Sequence, residues 1–286
     1  MITTGHTRRF QNLERRPEYD FSFLAGSGRT GVSAMLRVKN EAPKIRCCLM
    51  SLLDLFDEIV VIDNGSDDGT QDIVRDFKRE HDRDAKMALY DYPFNVARCG
   101  PEHAATPEDS VHNLAYYYNW ALSHCTRRYV CKWDADMVMR REARRPFLEF
   151  LGHLSRTEAR AVLLQGQTVY KDASGRCFLS TDDLVAEPRL FPYDSDNYYI
   201  KAEHFEQLRL PPSLPTEAYD GVVFYELKFA DEDEFSHWST TQFPTPRKKQ
   251  EWENVQLLRA GGDTTGRLIP LPANFLEDQC GGRFVD

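Results

Sequence analysis

The sequence predicts an α/β fold: a mostly parallel, Rossmann-like sheet with helices on both faces, then a less regular C-terminal portion. Three observations lead there. Glu58–Asp63 is a continuous β-branched run, the pattern of a strand buried on both faces. From Val32 to Asp134, apolar runs of strand length alternate with helically spaced segments, as in βαβ units. After Arg141 that alternation stops, and Pro-rich and acidic loops separate the apolar runs.

Taken in order, Met1 to Gly31 reads as an irregular leader, polar and Arg-rich at its start, and residues 31–286 as one domain. Val32–Val38 is the first strand. Pro43 suits a first helical turn, and Ile45–Phe56 carries apolar residues at helical spacing. After the strand at Glu58–Asp63, Asn64–Gly69 is a turn cluster. Thr70–Phe77 is a helix with Thr70 as its N-cap. Lys86–Tyr92 is a weaker strand, Ser110–His124 an amphipathic helix and Arg128–Asp134 a fourth strand. Farther on, Phe147–Leu154 is helical, and Ala161–Tyr170, Pro188–Pro192 and Val222–Phe229 are strands. Asp231–Thr241 and Arg247–Arg259 read as closing helices.

Composition bounds the function. The 286 residues are 41% hydrophobic and 28% charged, enough for a sizeable core. A net charge of -9 argues against a general nucleic-acid binder, which needs a basic face. It leaves room for a small anionic ligand held by a few local donors. Seven cysteines with no C-x-x-C spacing read as free thiols in a reducing cytoplasm. No apolar run reaches the ~20 residues of a membrane span, and Met1–Asp20 has no apolar signal core. The expectation is a cytoplasmic protein, or one trimmed of an anchor. Arg140, Arg141, Arg144 and Arg145 read as a solvated helix face; they would also suit a phosphate-bearing acceptor or peripheral contact with the inner membrane face.

Ligands of parallel sheets bind outside the carboxyl ends of the strands, and the polar clusters lie there. Asp134 and Asp136 follow the fourth strand. Two carboxylates one residue apart can share one Mg²⁺ or Mn²⁺ with substrate phosphates. The same pair serves equally as an ordinary turn. Asp63 ends its strand and opens Asn64-Gly65-Ser66-Asp67-Asp68-Gly69, where a carboxylate can accept from a base or ribose hydroxyl. Arg37, Lys39 and Glu41 lie at and just after the first strand end. Tyr116, Tyr117, Tyr118 and Trp120 read as helix core more than as a sugar platform.

The order of these motifs resembles family 2 glycosyltransferases, which have a nucleotide-binding GT-A fold. The matching segments are Val32 to Glu41, Asp57 to Thr70 and Lys132 to Met137. The resemblance implies a nucleotide-sugar half over 31–139 and an acceptor half over 140–286. It implies that Lys39, Glu41, Asp63 and Ser66 hold base and ribose; Arg37, at the same strand end, is a further nucleotide-binding candidate. Asn119 would face the nucleotide-sugar, and Asp134 and Asp136 would place Mn²⁺ or Mg²⁺ on the diphosphate. Arg189-Leu190-Phe191 fits a further family segment, whereas His204-Phe205-Glu206 only approximates a His-Glu pair. Where relatives carry a later histidine, this chain has Glu226, which becomes the candidate third ligand, with His237 as its rival.

Under this resemblance the reaction inverts the anomeric centre. A carboxylate deprotonates the acceptor hydroxyl, and the metal neutralises the leaving diphosphate. Glu206 is the first candidate base, with Glu203 and Asp233 behind it. The donor is a nucleoside diphosphate sugar, UDP-linked by default; the acceptor is a glycan, such as a surface polysaccharide, or a lipid-linked glycan. One rival reading is a sugar-nucleotide pyrophosphorylase, from the faint Gly-rich loop Leu24 to Arg29. That loop precedes the first strand instead of following it. Another rival is a non-catalytic sugar-nucleotide or glycan-binding module, against which the intact Asp134 and Asp136 argue.

Overall fold

The structure is a computed structural model that describes every residue except 1–6, 25–27, 155–156, 231, 233–234, 237–242 and 281–286. Its strands are β1 (Thr7–Phe10), β2 (Phe21–Leu24), β3 (Arg29–Val38), β4 (Glu58–Asp63), β5 (Met87–Asp91), β6 (Arg127–Asp134), β7 (Met137–Met139), β8 (Ala161–Lys171), β9 (Cys177–Pro192), β10 (Tyr198–Lys201), β11 (Glu206–Arg209), β12 (Thr216–Phe229) and β13 (Leu268–Pro270). Its helices are α1 (Ile45–Leu52), α2 (Thr70–His81), α3 (Pro101–Ala105), α4 (Leu114–Ser123), α5 (Arg144–Leu154), α6 (Pro246–Arg259) and α7 (Phe275–Cys280).

Nine of the described strands form one sheet, in the order β5-β4-β3-β6-β9-β8-β12-β7, with β13 on β9. The first four are parallel. The parallel order reverses at β3. The chain runs β3, β4, β5 in one direction, then returns to place β6 on the other side of β3. Such a switch point opens a crevice at the strand ends. Beyond β6 the sheet is mixed: β9 is antiparallel to β6 and β8, β12 is parallel to β8, and β7 is antiparallel to β12.

Side-chain alternation along β3 explains the two covered faces. Ala34, Leu36 and Val38 pack with Ile45 and Leu49 of α1, Val74 and Phe77 of α2 and Phe147 of α5. Met35 points the other way and joins Val60 and Ile62 against Ala115, Tyr116 and Trp120 of α4. Each such buried side chain contributes roughly 1.5–3 kcal/mol over leaving it in water.

Four expectations are corrected. The leader is not wholly irregular: β1 and β2 pair as an antiparallel hairpin, and its Phe10 and Phe21 rings stack. Thr70 does not cap α2 but is its first residue. Gly69 holds the cap position at φ 93°, a left-handed value that suits glycine, and Asp68 accepts the Thr70 N–H at 3.0 Å. The helix expected from Ser110 begins at Leu114, because the Asn113 side chain accepts from the Ala115 N–H and caps it there. Lastly, Cys47 and Cys280 form a disulfide. Their Cα atoms are 4.7 Å apart across a sequence separation of 233, brought together by α7 packing on α1. Spacing rules built on nearby cysteines do not reach such a pair. The helix expected over Asp231–Thr241 lies largely outside the described residues, as does the middle of the Gly-rich loop, residues 25–27.

Candidate active site

Strand register gathers the sequence motifs. Val38 pairs with Asp63, and Arg37 pairs with Asp134, so the ends of β4, β3 and β6 stand side by side. Neighbouring strands lie about 4.8 Å apart, so the three ends span one nucleotide-sized edge at the switch point. Asp63 is fully buried. One carboxylate oxygen accepts from Ser66 N–H at 2.9 Å and Gln71 Nε2 at 2.7 Å. The other, Oδ2, is buried with no protein partner. A buried acceptor left bare is costly, so such an atom is a natural seat for a ligand donor.

The loops after β3 and β4 are laced together. Asn40 N–H donates to Ser66 Oγ at 2.9 Å, Glu41 N–H to Thr70 Oγ1 at 2.8 Å and Ala42 N–H to Asp68 Oδ2 at 2.9 Å. Asn40 sits at φ 57°, and its side-chain oxygen takes the Asp67 N–H at 3.0 Å. These bonds fix the loop that carries Lys39 and Glu41. Lys39 is exposed and donates to Asn95 Oδ1 at 3.2 Å. Glu41 meets Lys44 at 3.2 Å. Burial pushes the Glu41 carboxyl up to about 7; Lys44 opposes that shift, and Asp136 and Glu232 add to it.

Asp134 lies between two guanidinium groups. Arg37 Nη2 donates to one oxygen, and Arg189 Nη1 donates to the other at 2.7 Å. Burial alone would raise this carboxyl, but Arg189, Arg37 and Lys132 outweigh it and hold it well below the usual carboxylate range. Arg37 also lies over the Tyr118 ring, 3.8 Å from its centroid. Its Nε and Nη1 are buried without partners. Lys132 meets Glu206 at 3.2 Å and Glu187 at 3.6 Å, and Arg189 meets Glu187 at 3.1 Å. Burial disfavours the Lys132 ammonium, yet Glu206, Glu187 and Asp134 keep it charged well beyond neutral pH.

Asp136 and Glu226 share one ammonium. Lys228 Nζ lies 3.0 Å from Asp136 Oδ2 and 2.9 Å from Glu226 Oε1, and Lys228 is 5% exposed. Glu226 also accepts from Arg247. Burial would raise the Glu226 carboxyl; Lys228, Arg247 and Lys248 hold it far below its usual range. Among the described residues, no three His, Cys, Asp or Glu side chains gather as a metal cage.

The expected residues therefore fall into groups. Arg37, Glu41, Asp63, Asp134, Asp136 and Glu226 line strand ends or the loops just after them, and Lys39 and Ser66 lie on the laced loops. Glu206 joins from β11 through Lys132, its side chain 7% exposed. Asn119 is 2% exposed and spends its amide on the Tyr199 backbone, donating at 2.7 Å and accepting at 2.8 Å. It braces β10 rather than offering free polar atoms. Tyr116, Tyr117 and Trp120 are core, whereas Tyr118 lies under Arg37. Arg144 is 6% exposed and donates to the Met50 and Ser51 carbonyls, so it belongs to no surface patch. Asp233 and His237 lie outside the described residues.

Sequence reasoning missed Glu187, Lys228 and Arg247, and took Arg189 only as part of a motif. A local signal existed for three of them. Lys132 and Asp134, Glu187 and Arg189, and Glu226 and Lys228 are each two residues apart on a strand, hence on one face. Each strand carries a cation and an anion, and the neighbours β6 and β9 answer each other with complementary charges.

Residues 33–95 match the family model described as glycosyl transferase family 2. No curated protein matches the chain significantly. Among solved structures, the chain is similar to TarS residues 1–349 from S. aureus, at 12% identity and a TM-score of 0.42, over 87% of this chain and 69% of that one. It is similar to a mannosyltransferase from Pyrobaculum calidifontis in complex with GDP-Man and Mn²⁺, at 25% identity and a TM-score of 0.36, over 50% of this chain and 38% of that one. Another similar structure is glucosyl-3-phosphoglycerate synthase from Mycobacterium tuberculosis in complex with Mn²⁺, UDP and glucosyl-3-phosphoglycerate, at 22% identity and a TM-score of 0.31, over 50% of this chain and 45% of that one. The chain thus spans less than half the length of the last two.

Proposed function

We propose that this chain is a glycosyltransferase of GT-A fold that moves a sugar from a nucleoside diphosphate donor to an acceptor hydroxyl with inversion; the family 2 match over residues 33–95 and the sheet order support the reading. The observation that carries this reading is the register of Asp63, Arg37 and Asp134 at the switch point, with Asp63 Oδ2 and two Arg37 nitrogens buried and unpartnered. A bare acceptor at the end of β4 suits a ribose or base, and bare donors at the end of β3 suit phosphate oxygens.

Asp63 accepts from the nucleoside. Arg37, fixed by Tyr118 and Asp134, faces the diphosphate with its remaining donors. Lys132 fixes Glu206, the carboxylate proposed to take the acceptor proton, with Asp233 as the second candidate. The donor set also suits Mn²⁺ or Mg²⁺: Asp134 and Asp136 offer oxygen ligands, and their side chains are 31% and 15% exposed. Two carboxylates plus substrate phosphates are a normal Mg²⁺ complement, and a preformed cage is not required. When bound, the metal supplies Lewis-acid neutralisation of the leaving diphosphate. Asp134, held by Arg37 and Arg189, and Glu226, held by Lys228 and Arg247, would each have to exchange a cationic partner to join the metal shell. UDP-linked donors are the first to test, with glycans and lipid-linked glycans as acceptors. No described helix is long and apolar enough to cross a membrane.

The test is slow donor hydrolysis. The chain is incubated with a panel of UDP- and GDP-sugars and Mn²⁺, and free nucleoside diphosphate is measured. Release from one donor is expected, and it should be lost in Asp136→Ala. A requirement for pyrophosphate or nucleoside triphosphate would instead show a pyrophosphorylase. Binding of nucleotide-sugar without turnover, with every acceptor class supplied, would leave only a binding module.

A further inference from the structure

Resting on the metal reading above, we infer that Lys228 is a gate that keeps divalent metal off Asp136 until the nucleotide arrives. Asp134, Asp136 and Glu226 face Arg37, Arg189, Lys228 and Arg247 in direct ion pairs. Each of these three carboxylates already holds a cationic partner that a dication would have to displace. The Lys228 ammonium touches both Asp136 and Glu226, at 3.0 and 2.9 Å, so it occupies the space between the two carboxylates.

A metal at roughly 2.0–2.2 Å from Asp136 would lie within a few ångströms of that ammonium. Two like charges so close, away from bulk water, repel strongly. The metal must displace Lys228 or bring its own counter-charge. A nucleoside diphosphate supplies that charge. It accepts both the metal and the freed ammonium, so metal and donor enter together. The sequence carries the device in plain form: Glu226 and Lys228 are two residues apart on β12 and share one face, opposite the turn that carries Asp136.

The test reads metal binding directly, without activity. Mn²⁺ is titrated into the intact chain by calorimetry and by loss of the free-ion EPR signal, with and without UDP or GDP. Wild type should bind Mn²⁺ only with nucleotide. Lys228→Met should bind Mn²⁺ alone, roughly tenfold or more tighter than wild type, and Mn²⁺ should raise its melting temperature but not that of wild type. Lys228→Met leaves two buried carboxylates short of a cation and risks unfolding. The double variant Lys228→Met, Glu226→Gln removes one charge of each sign, yet it frees Asp136 of its ammonium and should show part of the gain. Tight Mn²⁺ binding by nucleotide-free wild type would overturn the gate alone, as would a folded double variant with no gain. Failure of wild type to bind Mn²⁺ even with UDP and GDP would overturn the metal reading, and the gate with it.

Discussion

Replacing Asp63 with asparagine isolates one interaction. The Asp63 carboxylate accepts from Ser66 N–H and Gln71 Nε2 through Oδ1 and leaves Oδ2 bare. Asparagine is a near-isostere of aspartate, so the Asp63→Asn variant can keep its side-chain carbonyl oxygen on Ser66 and Gln71. It then presents an NH₂ group where the bare acceptor was. The loop should survive, and the melting temperature should move by only a few degrees. The nucleotide loses a hydrogen bond to a charged acceptor, a contribution of about 1.5–3 kcal/mol. That corresponds to roughly a ten- to hundredfold weaker Kd. Calorimetric titration of UDP and GDP with Mn²⁺ measures it, with a thermal melt as the folding control. A Kd within about twofold of wild type, with the melt unchanged, would refute the assignment of Asp63 to the nucleoside.

Four further outcomes follow from the same geometry. Asp136→Ala should keep the fold, because Lys228 retains Glu226, and donor hydrolysis should fall on the order of a thousandfold, in line with several kcal/mol of metal assistance. Glu206→Gln should lower transfer by about 10²–10⁴-fold if Glu206 is the base; normal turnover would eliminate it. Asp134 and Glu226 titrate below their ordinary range, so their stabilisation is complete above the unfolded carboxylate pKa near about 4 and is lost as pH falls below it. Melts should fall steeply below about pH 4, and Arg189→Met should lower stability near neutral pH by roughly 3–5 kcal/mol and shrink that acid drop. Finally, reduction of Cys47–Cys280 should lower the melting temperature by roughly 4–16 °C, with the linked peptides visible in a non-reducing digest.

The parallel half was legible because its signals are local. A continuous apolar run such as Glu58–Asp63 needs no partner to be read as a strand, and a turn such as Asn64–Gly69 announces its own break. Asp63 and Asp134 could be placed because strand ends in a βαβ pattern share one edge. The rest of the site was hidden for a physical reason. Whether Arg189 touches Asp134, |i−j| = 55 away, depends on the antiparallel register of β9 against β6, which pairs Cys131 with Leu190. Asn119 shows the same limit. Its place on α4 was readable, but the Tyr199 backbone that consumes its amide lies |i−j| = 80 away. The Cys47–Cys280 bond is more distant still. In each case one residue's environment is set by chain that local pattern does not see.

The charge pattern resolves an apparent conflict between an acidic chain and an anionic donor. A net charge of -9 gives no general attraction for a nucleoside diphosphate. The site meets the need locally, by setting Lys132, Arg189 and Lys228 on strand faces two residues from an anion of the same strand. Those anions let the cations be buried without the cost of isolated charge. They also give these cations partners, and a metal or a phosphate would have to displace one member of such a pair. Metal and diphosphate arriving together offer each side of that network a new partner at once. Selectivity for the complex over its parts then follows from buried ion pairs that must be exchanged, not from an excess of either charge.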